Sequence, residues 1–229
     1  MYAVIIMAKA PIATEVKTRL VPPLDAQTAS DLYRSFLLDK IEQVKTMNGA
    51  HPFVAYTPQT SDSLFSSIIP LGFTLIPQVG ADLGERLLHV SNSLFNRGFR
   101  KVVLSDSDTP NLPIKIMKDA IDRLDSFDVV LGPCEDGGYY LIGLRSNMPE
   151  LFREIPWGTS EVAKLTMKKA TNMHATISLL DEWYDVDTVE MLLRLKRDLY
   201  AKPPIGFFGI NSYQVLSKID LEKLSRQMP

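Results

Sequence analysis

Short apolar runs alternate along this chain with longer stretches in which apolar side chains recur every three or four positions, the signatures of buried strands and amphipathic helices. Ala3 to Ala8 reads as a first buried strand. Asp25 to Met47 follows as a helix, with Leu32, Phe36 and Val44 among its apolar positions and Gly49 as its stop. A strand at His51 to Tyr56, a short helix at Ser61 to Ile69 and a strand at Phe73 to Ile76 come next. Leu83, Leu87, Val90 and Leu94 step by four, three and four, one face of a helix that ends at Gly98. Lys101 to Leu104 is then a strand, Ile114 to Leu124 a helix, Val129 to Leu131 a strand, Glu135 to Gly138 a turn and Tyr139 to Leu144 another strand. A helix at Ser160 to Ala170, with Val162 and Leu165 inward, precedes a strand at Thr176 to Leu180. The helix Val189 to Tyr200 closes the series, capped by Asp187 or Thr188.

This alternation predicts a single α/β domain over residues 1–200, a mostly parallel sheet flanked by helices on both faces. It brings the segments after Ala8, Leu104 and Leu131 to one rim, where open α/β sheets bind ligands. Pro203, Pro204 and Gly206 predict a linker, so residues 201–229 are expected as an appendage with a short helix at Ser217 to Gln227.

Composition narrows the class. The 229 residues are 45% hydrophobic and carry a net charge of −2, with a sequence pI of about 5.9. No overall basic field draws such a chain to nucleic acid or to an anionic membrane. A single cysteine, Cys134, forms no internal disulfide, and His51, His89 and His174 lack zinc-like spacing. The apolar run Met1 to Ala8 gives way to Lys9 and Pro11, which reads as a strand rather than a signal peptide or membrane span. A cytoplasmic location is the expectation.

Six segments carry candidate chemistry. In LSDSDTPNLP (Leu104 to Pro113), Asp106 and Asp108 follow a strand; two acids on one turn suit Mg²⁺ or Mn²⁺, although turn formation and helix capping use aspartate too. AKAPIATEVKTRL (Ala8 to Leu20) brings Lys9, Lys17 and Arg19 to the same rim, where they would bind polyphosphate. In QVGADLGER (Gln78 to Arg86), Gly80 and Gly84 would let a flat ligand approach the backbone. Gln78 and Asp82 would read nucleobase edges, while Asp82 with Glu85 also makes a capping box. GPCEDGGYYLIGL (Gly132 to Leu144) would present Glu135, Asp136 and Tyr139 from a tight turn at Gly137 and Gly138, or serve as a plain hairpin. WGTS (Trp157 to Ser160) starts a helix, where Thr159 and Ser160 would hold an anion or simply cap. In DVDT, Asp185 or Asp187 would complete a metal site begun by Asp108, and capping alone would also account for Asp187. No Walker GxxxxGK[ST] or GxGxxG fingerprint is present.

Taken in order, these segments resemble the glycosyltransferase-A-like (GT-A-like) superfamily of nucleotide-dependent transferases. Within it they are most similar to an uncharacterised bacterial family whose pattern runs AKAPxxGxVKTRL, DLGxR, GxDxPxLP, GPxxDGGYYLIGL, WxTS and DVDT. The phospholactate guanylyltransferase shares a similar K-[ST]-R-L stretch, and molybdopterin guanylyltransferases are more distant relatives. The resemblance implies a nucleoside triphosphate or nucleotide-sugar site made by Ala8, Lys9, Lys17, Arg19, Gln78, Gly80, Asp82 and Arg86. Asp108 would bear the metal, with Asp106 beside it and a second ligand from Asp185 or Asp187. Glu135, Asp136, Gly137, Gly138, Tyr139, Trp157, Thr159 and Ser160 would form the acceptor side. The reaction it implies is metal-dependent nucleotidyl transfer to a small phosphorylated or otherwise anionic acceptor, with Lys17 and Arg19 stabilising the released pyrophosphate. Glycosyl transfer, with Asp136 as acceptor base, and non-catalytic nucleotide binding are the alternatives. Two positions depart from the pattern: Thr14 and Asp106 both stand where the family has glycine.

Overall fold

The computed structural model describes residues 1–201 and 209–220. Seven strands, β1 (Tyr2–Lys9), β2 (Ala50–Thr57), β3 (Thr74–Pro77), β4 (Lys101–Ser105), β5 (Val129–Pro133), β6 (Tyr139–Leu144) and β7 (Ile177–Leu179), form one sheet in the order β3-β2-β1-β4-β6-β5-β7. Every neighbouring pair is parallel except those of β6, which runs antiparallel to β4 and β5. The exception follows from the short turn between β5 and β6, since a parallel partner needs a crossover of a dozen residues or more.

The helices are α1 (Ala26–Lys45), α2 (Asp62–Ile68), α3 (Leu83–Asn96), α4 (Ile114–Arg123), α5 (Val162–Asn172), α6 (Val189–Ala201) and α7 (Ile210–Leu216). Asp25 caps α1, its carboxylate accepting the Thr28 N–H at 2.9 Å. Both faces of β1 are buried, which is why its sequence is a continuous apolar run. Val4, Ile6 and Ala8 join Leu37, Ile41 and Met117 on one face, while Ala3 and Ile5 join Leu87, Val90 and Leu94 on the other. A third apolar cluster joins Leu20, Leu32 and Phe36 to Tyr184, Val186, Leu192, Leu195 and Leu216, so α6 and α7 lie on the outer side of α1.

The C-terminal segment differs from expectation. Its described helix is α7, and Ser217 to Asp220 form a turn rather than the start of a helix; the remainder of the expected Ser217 to Gln227 helix lies outside the described residues. Asp39 of α1, itself buried, accepts from the backbone and side chains of both Asn211 and Ser212, which fastens the start of α7. Among the described residues no helix is long and apolar enough to cross a membrane.

The register decides where a site can form. Lys9 of β1 stands opposite Thr57 of β2, and Ile6 opposite Ser105 of β4, so the carboxyl ends of these strands share one rim. The chain leaves β1 for β2 on one side and reaches β4 on the other. The gap above β1 and β4 is therefore the topological switch point, the usual ligand crevice of an open α/β sheet.

Candidate functional site

A cavity of about 500 Å³ occupies this switch point, walled by the β1 loop through Lys9, Lys17 and Arg19, by Asp106, Ser107 and Asp108 after β4, by Asp187, and by Gln78 and Arg86. The β1 loop reaches it through two residues in the left-handed region, Thr14 at φ 73° and Lys17 at φ 49°. Glycine would adopt this turn freely, whereas threonine holds it under strain. Thr14→Gly is expected to raise stability by about 0.5–1 kcal/mol, strain relief outweighing the added chain entropy. That corresponds to roughly 1–4 °C in melting temperature, measurable by calorimetry. A fall in melting temperature would show that Thr14 makes a compensating contact.

Lys17 is not a solvated loop charge. Its side chain is 3% exposed, and its ammonium lies 2.6 Å from Asp108 Oδ1 and donates to Asp187 Oδ1 at 2.7 Å. Burial opposes the charge, but the two carboxylates more than offset it and hold Lys17 above the ordinary lysine value. The rings of Tyr33 and Phe36 lie 5.8 and 5.5 Å from the ammonium, an arrangement that adds cation–π attraction. A short 3-10 turn, Thr18–Leu20, follows Lys17 and is pinned by the fully buried Leu20.

The Asp106 to Asp108 turn is held from beneath by α1. Asp106 N–H extends the β4–β6 ladder to Tyr140 O, and Ser107 Oγ lies 2.9 Å from the Tyr33 hydroxyl, which also accepts the Lys9 N–H. The Asp106 Oδ1 atom is engaged twice, by the Thr109 hydroxyl at 2.7 Å and by the Lys40 ammonium at 3.4 Å. Burial pushes the Asp106 carboxyl up to about 6 against the pull of Lys40, and burial pushes the fully enclosed Lys40 down. Asp108 Oδ1, by contrast, is buried and accepts no aligned hydrogen bond.

DVDT docks on this turn through Val186 N–H to Asp108 O at 3.0 Å, with Val186 itself fully buried. The acids flanking Val186 meet different surroundings. Asp187 meets Lys17, which, with Arg19 and Lys9, outweighs burial and lowers its carboxyl below the usual range. Asp185 is pushed up to about 7 by burial and by the carboxylates of Asp187, Asp136, Asp106 and Asp108. Thr188 rather than Asp187 serves the start of α6, accepting the Met191 N–H at 3.4 Å, which leaves Asp187 to the lysine.

The other segments divide between wall and scaffold. The Gln78 amide donates to Ala8 O at 3.2 Å and Ala55 O at 2.7 Å, so its N–H groups clamp β1 and β2 rather than read a base. Asp82 caps α3 through the Glu85 N–H while Glu85 reaches back to the Ala81 N–H, one residue before the cap, a variant of the expected capping box outside the cavity wall. Gly80 lies at φ 144° with no room for a Cβ beside Glu85, and the Arg86 Nε–H holds its carbonyl at 3.1 Å. A Cβ on Gly84 would fall 2.5 Å from Trp157 Nε1, so this glycine admits the tryptophan of WGTS. Gly137 in turn abuts the Ser160 backbone and accepts the Ala163 N–H through its carbonyl. Asp136 accepts the Gly138 N–H, and Glu135 is bound at both oxygens by Arg194. Tyr139 sets its ring edge-on to Trp157, and the Thr159 hydroxyl donates to Pro156 O. Glu135 to Tyr139 and Trp157 to Ser160 therefore interlock with α3 beside the cavity instead of lining it.

A family profile described as an uncharacterized protein conserved in bacteria, DUF2064, matches residues 40–159, just over half of the chain. The chain belongs to this family. A solved structure of a candidate nucleotide-diphospho-sugar transferase from Desulfovibrio desulfuricans G20 is similar to this DUF2064 protein at 30% identity, covering 99% of this chain and 97% of the other with a TM-score of 0.87. The CMP:2-keto-3-deoxy-manno-octonic acid synthetase solved with CTP shares the fold at 13% identity, covering 89% and 99% of the two chains with a TM-score of 0.59. So does the 4-diphosphocytidyl-2C-methyl-D-erythritol synthase from Anaerococcus prevotii DSM 20548, at 10% identity over 87% and 96% with a TM-score of 0.60. Comparison with curated proteins gives no significant match. The fold is GT-A-like.

In this DUF2064 protein the residues that sequence reasoning misses are the supports on α1, Tyr33 and Lys40. A signal for Lys40 exists, since Phe36, Lys40 and Val44 step by four and place a lysine on the apolar face of the helix. Cavity-wall residues Glu15, Thr57 and Leu83 carry no signal of their own.

Proposed function

We propose that this protein is a metal-dependent transferase acting on a nucleotide, and specifically that it moves a nucleotidyl group from a nucleoside triphosphate to a small acceptor. The observation that carries this reading is the convergence of Asp108 and Asp187 on one cation, Lys17, in a switch-point cavity whose walls also hold Lys9, Arg19 and Arg86. Cationic walls suit polyphosphate, and carboxylates suit a hard divalent ion. The similar structures, a candidate nucleotide-diphospho-sugar transferase and two synthases of cytidylyl products, support the same class.

The donor set fits Mg²⁺ or Mn²⁺ in one respect: the buried Asp108 Oδ1 has no aligned hydrogen bond and points into a shared cation position with Asp187. Among the described residues no group of three or more acids, histidines or cysteines stands ready as a cage. Asp108 and Asp187 would therefore hold the ion together with phosphate oxygens, where it would neutralise charge on the polyphosphate. Asp106, occupied by Thr109 and Lys40, is the support of this turn. In the transfer an acceptor oxygen attacks the α-phosphorus in line as the bond to pyrophosphate breaks, and Lys17 and Arg19 take up the charge on the leaving group. An anionic acceptor oxygen brings no proton, so no base is required.

One observation favours the second reading, glycosyl transfer from a nucleotide-sugar. The Asp136 carboxylate helps to raise the Asp185 carboxyl and Glu135 is already covered by Arg194, so a neutral hydroxyl meets less repulsion there than an anion does. Asp136 would then accept the hydroxyl proton as the sugar is transferred. Product analysis with triphosphates, nucleotide-sugars and a panel of acceptors separates the two. Released pyrophosphate is expected; nucleoside diphosphate instead would establish glycosyl transfer, and neither product would overturn both.

A further inference from the structure

The ammonium of Lys17 stands where a divalent cation would have to sit. It is shared by Asp108 Oδ1 at 2.6 Å and Asp187 Oδ1 at 2.7 Å, its side chain is 3% exposed, and its backbone is fixed at φ 49° by the turn that ends in buried Leu20. Carboxylate oxygens bind Mg²⁺ at about 2.0–2.1 Å, so an ammonium and a metal cannot share these two oxygens. We propose that Lys17 is the resident counter-ion of the Asp108 and Asp187 carboxylates, excluding a free divalent cation and admitting one only when nucleotide phosphates arrive to take over the lysine. This inference rests on the metal-and-nucleotide reading above and adds the order in which the site is filled.

Charge balance dictates this order. With Lys17 in place the two acids are already neutralised from within, and an incoming cation meets a like charge at contact distance. A triphosphate changes both terms at once. It offers Lys17 new anionic partners in the same cavity, and it brings oxygens that complete the coordination of the metal. Tyr33 and Phe36 border the ammonium on the α1 side, so the side chain leaves toward the cavity rather than into the helix layer. Lys17 thereby becomes the group that reports phosphate arrival to the acids, in addition to binding the phosphates itself.

The test is Mn²⁺ uptake, followed by electron paramagnetic resonance, for the full chain and for Lys17→Met, each alone and with an equimolar mixture of the four α,β-methylene nucleoside triphosphates, with uptake in the presence of triphosphate counted only beyond that of the same mixture without protein. The unaltered protein is expected to leave the free Mn²⁺ signal unchanged until triphosphate is added. Lys17→Met should bind Mn²⁺ without triphosphate at least about tenfold more tightly than the unaltered protein, because the competing charge is gone. Equal uptake by both forms without triphosphate, combined with enhanced uptake when triphosphate is present, overturns the counter-ion role and leaves the nucleotide reading standing. No uptake by either form under any condition overturns both. Should Lys17→Met fail to fold, nitrogen-15 spectra of lysine ammonium groups in the unaltered protein decide. One slowly exchanging ammonium signal, missing in Lys17→Arg, should persist when Mg²⁺ alone is added and shift when Mg²⁺ and the triphosphate mixture are added together; a shift with Mg²⁺ alone, or no such signal, overturns the proposal.

Discussion

Asp108→Asn is expected to lower turnover by about a thousandfold or more and to remove the dependence of nucleotide affinity on Mn²⁺. The substitution exchanges a charge for a neutral amide at the one site oxygen that is buried and without an aligned hydrogen bond. It leaves the architecture in place. Val186 N–H is held by the Asp108 backbone carbonyl, not by its side chain, so DVDT remains docked, and Lys17 keeps its hydrogen bond to Asp187. Circular dichroism should therefore match the unaltered protein, and the melting temperature should fall because the enclosed Lys17 keeps only Asp187 of its two carboxylate partners, while calorimetric titration with nucleotide should give one affinity with and without metal. Retention of full Mn²⁺-dependent affinity would place the metal elsewhere and would detach Asp108 from the chemistry.

The parts of this site that were legible in the sequence are those where residue type and strand position agree. A strand that runs into two acids, a basic loop after the first strand and a second acid pair before the last helix all reach the expected rim, because in an α/β sheet the end of a strand fixes where the next loop lies. What was not legible is which partner each side chain takes. Gln78 has the chemistry to read a base, yet its amide is spent on the carbonyls of Ala8 and Ala55, acceptors that no spacing in the sequence reveals. Gly84 looks like room for a flat ligand but makes room for Trp157, and Gly137, read as part of a tight turn, also abuts the Ser160 backbone. The segment after Ala201 reads as an appendage from its prolines and glycine, whereas Leu216 is fully buried and the Asp39 carboxylate that fastens α7 lies some 170 positions earlier in the chain. Periodicity reports that a face is buried and is silent on what buries it.

Thr14 and Asp106 have separate physical consequences. Thr14 adopts the left-handed backbone that glycine favours and therefore costs stability. Asp106 introduces a carboxylate beneath the cavity, and the enclosed Lys40 supplies the opposite charge. An acid added next to a phosphate site would repel its ligand; an acid neutralised from α1 does so far less, and it gains the Thr109 hydroxyl as a donor. The pair thus makes the literal Asp-x-Asp compatible with the polyphosphate site proposed above.

That account sets the second large effect, the response to Lys40→Met. Methionine fills much of the lysine's volume but leaves Asp106 without its cation in a buried setting, a loss of about 3–5 kcal/mol when one partner of an enclosed ion pair is removed. At roughly 2–4 °C per kcal/mol this lowers the melting temperature by about 6–20 °C. The sign with pH is fixed by Asp106, whose carboxyl already stands raised to about 6 with Lys40 present. A raised carboxyl favours the folded state only while protonated, and without Lys40 it rises further, so the deficit should be small near pH 5 and grow as pH increases through neutrality. Lys40→Met combined with Asp106→Gly removes both charges, and it should recover at least half of the lost stability. Melting curves for the two single variants and the double variant, at pH 5 and pH 8, form a complete cycle. If the double variant is as unstable as the sum of the single ones, or if the Lys40→Met deficit is the same at both pH values, then Lys40 is held for packing alone and Asp106 is stabilised by Thr109 without it.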